Sequence, residues 1–197
     1  EAEIDFEFDD PKAGDFHLVS AAGEVIPHQV TSDETLFWME VLKPNRKRRV
    51  TVLFPADVPA FGYTTVFAQA GSAPVPATDL IVGECTAENL YFKLEIADDG
   101  GLTITDKATG AIYSDLGHFY DAADAGDEYT SCPLPGDVPI TTKGQPANMT
   151  KTGDTTAVVF TITRSLDLPL ALTADRQQRS AETTRMVIET QVTVCAN

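Results

Sequence analysis

Cysteine and histidine are both scarce in this sequence. Cys85, Cys132 and Cys195 are an odd number and show no CxxC spacing. That indicates neither a disulfide framework nor a cysteine-held zinc site, and it points to a reducing compartment, so a cytoplasmic location is expected. His17, His28 and His118 lie far apart, and none is followed two residues later by a carboxylate. Basic residues are also few: 14 against 30 Asp and Glu, which leaves a formal net charge of −16. Such a field repels nucleic-acid phosphates and anionic lipid, so neither nucleic acid nor membrane is expected as a partner. No apolar run reaches the roughly 20 residues that span a bilayer, and the first residues lack a basic stretch followed by an apolar core. A start at Glu1 without Met suggests a processed chain or a piece of a longer one. No long segment carries a helical period, and no internal repeat is visible.

What is present is strand. Hydrophobic residues make up 43% and aromatics 8%, which suits a packed core in one or two domains. Residues 1–8 place Ile4, Phe6 and Phe8 on one face. Further short strands are predicted over 16–19, 25–30, 35–42, 49–54 and 63–67, separated by Gly14, Gly23, Ser32-Asp33, Pro55, Pro59 and Gly62 as turn signals. Trp38 is expected in the core of this first sheet. The spacing predicts a small antiparallel sandwich over residues 1–70. Residues 71–77 carry no periodicity, and a linker is placed at 71–82. From 83 to 197 the strands lengthen. Phe92, Leu94 and Ile96 alternate with Lys93 and Glu95, and the pattern returns at Val158, Phe160, Ile162 and at Met186, Ile188, Val192, Val194. The polar stretch 173–182 is expected to bridge two strands. The fold class is all-β, an antiparallel β-sandwich chain.

One stretch, residues 102–134, organises the second half. Leu102 and Ile104 alternate with Thr103 and Thr105, residues 106–110 reverse the chain, and 112–116 read as the return strand. An acidic loop follows, carrying Asp121, Asp124, Asp127 and Glu128, with Asp137 further on. These side chains would repel one another across a ladder, so a loop is expected.

These residues also carry a resemblance. Glu88-Asn89, residues 91–96, DDGGLTITDKATG at 98–110 and AGDEY at 125–129 together resemble the start of the large β-domain of glycoside hydrolase family 38, the α-mannosidases. FPADVPAFGYTT at 54–65 is similar to the turn just upstream in bacterial members. The motifs cover about the middle third of the chain in the family's order and spacing. The resemblance implies a small sandwich followed by part of a larger supersandwich, with further strands downstream of Asn197. It also implies that the zinc-bearing α/β catalytic domain and a helical bundle lie outside this chain. The family's zinc ligands and its Asp nucleophile belong to that domain, so no catalytic residue, metal ligand or cofactor is carried over here. The partner implied is the catalytic domain of the same parent, which hydrolyses α-mannosides with retention. Family loops from the β-domain reach over the cleft, which makes Asp127 and Tyr129 the substrate-binding candidates. Asp127 suits sugar hydroxyls and Tyr129 offers an apolar face with one hydroxyl. They would touch either the mannoside or the catalytic domain. The plainer alternative is that Asp127 caps a turn and Tyr129 packs on Pro133. The TSCPL that follows departs from the family's tyrosine-rich continuation.

Other chemistry finds less support. Asp121, Asp124 and Asp127 are three apart, unlike the alternate ligands of a calcium loop, and the closing Glu is missing. Glycoside cleavage needs two carboxyl groups about 5–10 Å apart across the sugar, whereas adjacent Asp127 and Glu128 point opposite ways in an extended segment. Ser20, Ser72, Ser114 and Ser131 sit in no GxSxG context. The basic run at 43–49 holds five of the 14 basic residues. It reads as a phosphate grip or, more simply, as a hairpin loop whose charge meets acidic surface elsewhere. Asn148-Met149-Thr150 fits a glycosylation acceptor, which matters only on a secretory route. A rival from another class is a free-standing carbohydrate-binding module. Bare strand edges are expected to make the chain a dimer or larger species.

Overall fold

The computed structural model describes residues 2–40, 43–153 and 155–196, and no helix occurs among them. The first six strands are β1 (Ala2–Phe8), β2 (Phe16–Ser20), β3 (Val25–Ile26), β4 (Gln29–Glu40), β5 (Lys43–Phe54) and β6 (Val66–Ala70). They form two sheets, ordered β1-β5-β4 and β3-β2-β6. Alternation along β1 turns Ile4, Phe6 and Phe8 inward, where they pack with Leu18, Val50 and Val52 of the facing and neighbouring strands. Phe16 closes this core against Phe8, with ring centroids 5.4 Å apart. Pro27 separates β3 from β4, because its nitrogen cannot donate to a ladder. The strand expected over 25–30 is therefore two.

Two expectations for this half are corrected. The basic run is not a loop but the first part of β5, paired along its length with β4. Acidic strands flank it on both sides. Lys47 reaches Glu7 and Asp9, Arg48 meets Asp33 at 2.7 Å, and Arg49 lies 2.8 Å from Glu7. Opposite charges across the ladder let the run be a strand, and they turn its charge onto the chain's own surface. Trp38 is not in the core either, being 37% exposed, beside Phe37 and Met39 at 58% each. The twelve-residue arms of β4 and β5 outrun the five-residue β2 and β6 of the facing sheet, which leaves the ring partly uncovered. Trp38 instead has the Lys47 ammonium 5.9 Å from its ring centroid.

The remaining strands build a second core. β7 (Ile81–Val82), β8 (Thr86–Glu88), β9 (Phe92–Ile96), β10 (Leu102–Asp106) and β11 (Ile112–Leu116) form one antiparallel meander in that spatial order. β12 (Tyr120–Asp121) pairs with β13 (Ile140–Thr141). β14 (Asn148–Thr152), β15 (Ala157–Pro169) and β16 (Thr183–Cys195) make a third three-stranded sheet. Val158, Phe160 and Ile162 of β15 are fully buried against Ala87, Leu94, Ile96 and Leu102 of the meander. The all-β sandwich architecture is thus present in both halves. The two halves touch through Gln29, whose Oε1 accepts the backbone N–H groups of Thr156 and Ala157 at 3.3 Å.

Candidate functional site

Two loops of the second half are built around arginines, and together they make the candidate site. The first is the DDGG turn between β9 and β10. Gly100 has φ +77, and a Cβ there would meet the Arg164 guanidinium and Ile162, so the position demands glycine. Arg164 comes from β15 and is 3% exposed. Its Nε donates to the Asp99 carbonyl at 3.0 Å, its Nη2 to the Gly100 carbonyl, and its Nη1 to Thr190 Oγ1 at 3.4 Å. Burial pulls its pKa down from the usual arginine value, while the Asp99 charge opposes that shift. The Asp99 carboxylate accepts the N–H of Gly101 at 3.0 Å and of Gly144 at 2.8 Å, and these bonds hold its pKa below the usual carboxylate range. His118 Nε2 stands 3.9 Å from Asp99 Oδ2. The turn therefore ties both ends of the acidic segment, at His118 and Gly144, to the sandwich.

The acidic segment itself is a folded hairpin. β12 and β13 open it, Asp124 bridges to Pro133, and Ala125 N–H donates to the Cys132 carbonyl at 2.8 Å. Asp124 collects three donors: Gly126 N–H at 2.6 Å, Cys132 N–H at 2.8 Å and Ser131 Oγ at 2.6 Å. A Cβ on Gly126 would run into the Thr130 carbonyl, which explains the glycine of the GDEY motif. At the tip, Asp127 Oδ1 accepts the N–H groups of Tyr129 at 2.9 Å and Thr130 at 2.7 Å. These bonds favour the charged carboxylate and lower its pKa. Asp127 thus caps the turn. Tyr129 is 88% exposed, so it stands in solvent and is not packed down on Pro133.

Countercharge arrives from the connection between β15 and β16. Arg179 donates from Nε to Asp137 Oδ1 at 2.7 Å and from Nη2 to Asp137 Oδ2 at 2.9 Å. The same guanidinium grips Asp121 through its side chain and its carbonyl. Arg176 donates to the carbonyls of Ala125 at 2.6 Å and Gly126 at 3.0 Å. The Arg179 guanidinium holds the Asp137 carboxyl below its usual range. Repulsion within the acidic segment is met by two arginines, and the GDEY tip rides on a braced platform.

Sequence reasoning missed all three arginines. Arg164 keeps step with the inward positions Val158, Phe160 and Ile162, so the alternation itself placed it on the core face. Arg176 and Arg179 had a signal as well, two cations in a polar stretch of a chain short of cations. Asp121, Asp124 and Asp127 do not converge, and among the described residues no group of three or more His, Cys, Asp and Glu is placed to hold a metal.

Fold and site together define a class: an all-β chain of two sandwich cores carrying a braced loop platform. Solved structures that contain that fold include two larger proteins. One is a protein in the glycosyl hydrolase family 38 from Enterococcus faecalis, 21% identical, with a TM-score of 0.82 over 98% of this chain and 28% of its own. The other is an alpha-mannosidase from Enterococcus faecalis V583, also 21% identical at a TM-score of 0.82, over 98% of this chain and 26% of its own. No protein-family model matches the chain, and no curated protein does. The chain spans little more than a quarter of the length of the solved structures it matches, and the likeness to family 38 proteins holds at the level of fold.

Proposed function

We propose that this chain serves as a non-catalytic β-domain portion of an α-mannosidase-like glycoside hydrolase of family 38, where it supports the catalytic domain and walls its cleft. The observation that carries the reading is one of agreement. Motifs resembling that family in the sequence occur in a chain that shares its fold with part of two such proteins over 98% of its length. In this reading the parent hydrolyses α-mannosides with retention, and zinc and both working carboxylates belong to its catalytic domain. Asp127 shapes the loop tip, and Tyr129 projects from it to meet the mannoside or the catalytic domain. Away from that domain, a bare strand edge pairs with another copy of the chain.

A carbohydrate-binding module is the second reading, favoured by the exposed Tyr129 ring at 88%. Turnover of a chromogenic α-mannoside by the purified chain, with and without zinc, separates domain from enzyme. No turnover is expected in either case. Robust zinc-dependent hydrolysis by the chain alone would overturn the non-catalytic assignment.

A further inference from the structure

Among the described residues the two cores share no strand. Each sheet takes its strands from one half alone, and the buried apolar side chains fall into two separate clusters. The covalent path between the cores is tied down at both ends. On the first core, the Gly71 N–H donates to the Asp15 carbonyl at 2.8 Å, and His17 Nδ1 lies 2.7 Å from the Gly71 carbonyl oxygen. On the second, the Thr78 hydroxyl donates to the Thr155 carbonyl at 2.5 Å and accepts the Leu80 N–H at 3.3 Å. Residues 72–77 between these ties belong to no strand. They limit how far apart the sandwiches can move, but they set no angle between them.

Gln29 crosses from one core to the other directly. It opens β4 opposite Leu53, just past the corner that Pro27 makes between β3 and β4. Its side chain reaches the start of β15, where Oε1 lies 3.4 Å from the Thr155 nitrogen and 3.3 Å from those of Thr156 and Ala157. Three successive N–H groups converging on one oxygen make a backbone concavity that favours negative charge. Thr156 is fully buried, so its N–H must find an acceptor inside the protein. That acceptor comes from the other core. Gly153 makes room for it: its φ is +82, and a Cβ there would strike the Gln29 amide nitrogen and the Ala157 carbonyl. Turning one sandwich against the other takes the oxygen away from a buried donor, which costs more than an exposed hydrogen bond would.

We infer that Gln29 is a latch that sets the angle between the two sandwiches and makes them move as one body. The inference stands on the geometry at the start of β15 and does not need the mannosidase reading. Within that reading it supplies the stiffness that a supporting domain requires.

NMR of the full chain in a weakly aligning medium tests the latch. In the unaltered chain one alignment tensor should describe the N–H couplings of both cores. Gln29→Ala should split them into two tensors and speed exchange of the Thr156 amide about tenfold, the loss of one hydrogen bond. Gln29→Glu should keep one tensor and move the Thr156 and Ala157 amide protons downfield, because a carboxylate makes the stronger bond to the same donors. Lowering the pH should reverse that shift as the new carboxyl group protonates. One tensor retained by Gln29→Ala, or two tensors in the unaltered chain, would overturn the latch. If Gln29→Ala does not fold, the Gln29→Glu arm decides alone, and amide protons that stay in place would overturn the latch as well. None of these results bears on the mannosidase reading.

Discussion

Gly100 and Phe61 both hold positive φ, at +77 and +57, and for opposite reasons. At Gly100 the conformation lets the turn lie against Arg164, and a Cβ would strike that guanidinium and Ile162. Gly100→Ala should cost more than about 2 kcal/mol, read as a lowered urea midpoint, because strain and a buried clash add. A loss below half of that would contradict the packing. Phe61 sits in the turn from Pro59 to Gly62, closed by a 2.9 Å hydrogen bond, with its ring fully in solvent. The third position of such a turn suits glycine. Phe61→Gly should therefore raise stability by about 0.5–1 kcal/mol in thermal or urea unfolding, and a decrease would contradict the turn. The turn glycines and the DDGG motif were legible in the sequence. The partners that explain Gly100 were not, because Arg164 lies more than sixty residues away along the chain.

At the scale of the element, the acidic hairpin depends on the connection from β15 to β16. Arg179→Gln removes the grip on Asp121 and Asp137, so amide exchange across residues 121–137 should quicken while the core amides of β15 stay protected. Unchanged exchange in the hairpin would contradict the clamp. Alternation predicted β9, β10, β15 and β16 well, since each buries one face against the facing sheet. It failed for the basic run, where like charges along a strand argue for a loop until acidic neighbours are known on both sides. It failed for Trp38 as well, because whether a ring is covered depends on the length of the facing sheet. In the loop tip, Asp127 and Tyr129 were picked out from the sequence, with a turn cap at Asp127 among the readings, but the exposure of Tyr129 depends on how the loop folds.

Across the whole molecule, charge sets the response to pH. Glu7 and Asp33 are held below their usual pKa by Arg49 and Arg48, Asp137 by Arg179, and Asp99 by backbone N–H groups. A carboxyl group whose folded pKa is depressed adds stability that is fully present above its unfolded value, about 4, and lost as pH falls through the folded value. Easing of the −16 net repulsion works in the other sense as pH first drops from 7. The urea midpoint should accordingly hold or rise slightly down to about pH 5 and then fall steeply below about pH 4. A midpoint that keeps rising to pH 3 would contradict the paired carboxylates. The two-core, all-β plan was readable at this scale because strand period and turn residues recur from end to end. The same plan recurs in part of much longer solved structures. In the supporting role we propose, this chain does not hold sugar unaided. Titration of the purified chain with methyl α-mannoside, followed by NMR and repeated with Tyr129→Ala, addresses it directly. The account predicts no saturable shifts at millimolar sugar. Saturable shifts centred on residues 121–129, abolished by Tyr129→Ala, would contradict it and make the chain a binding module in its own right.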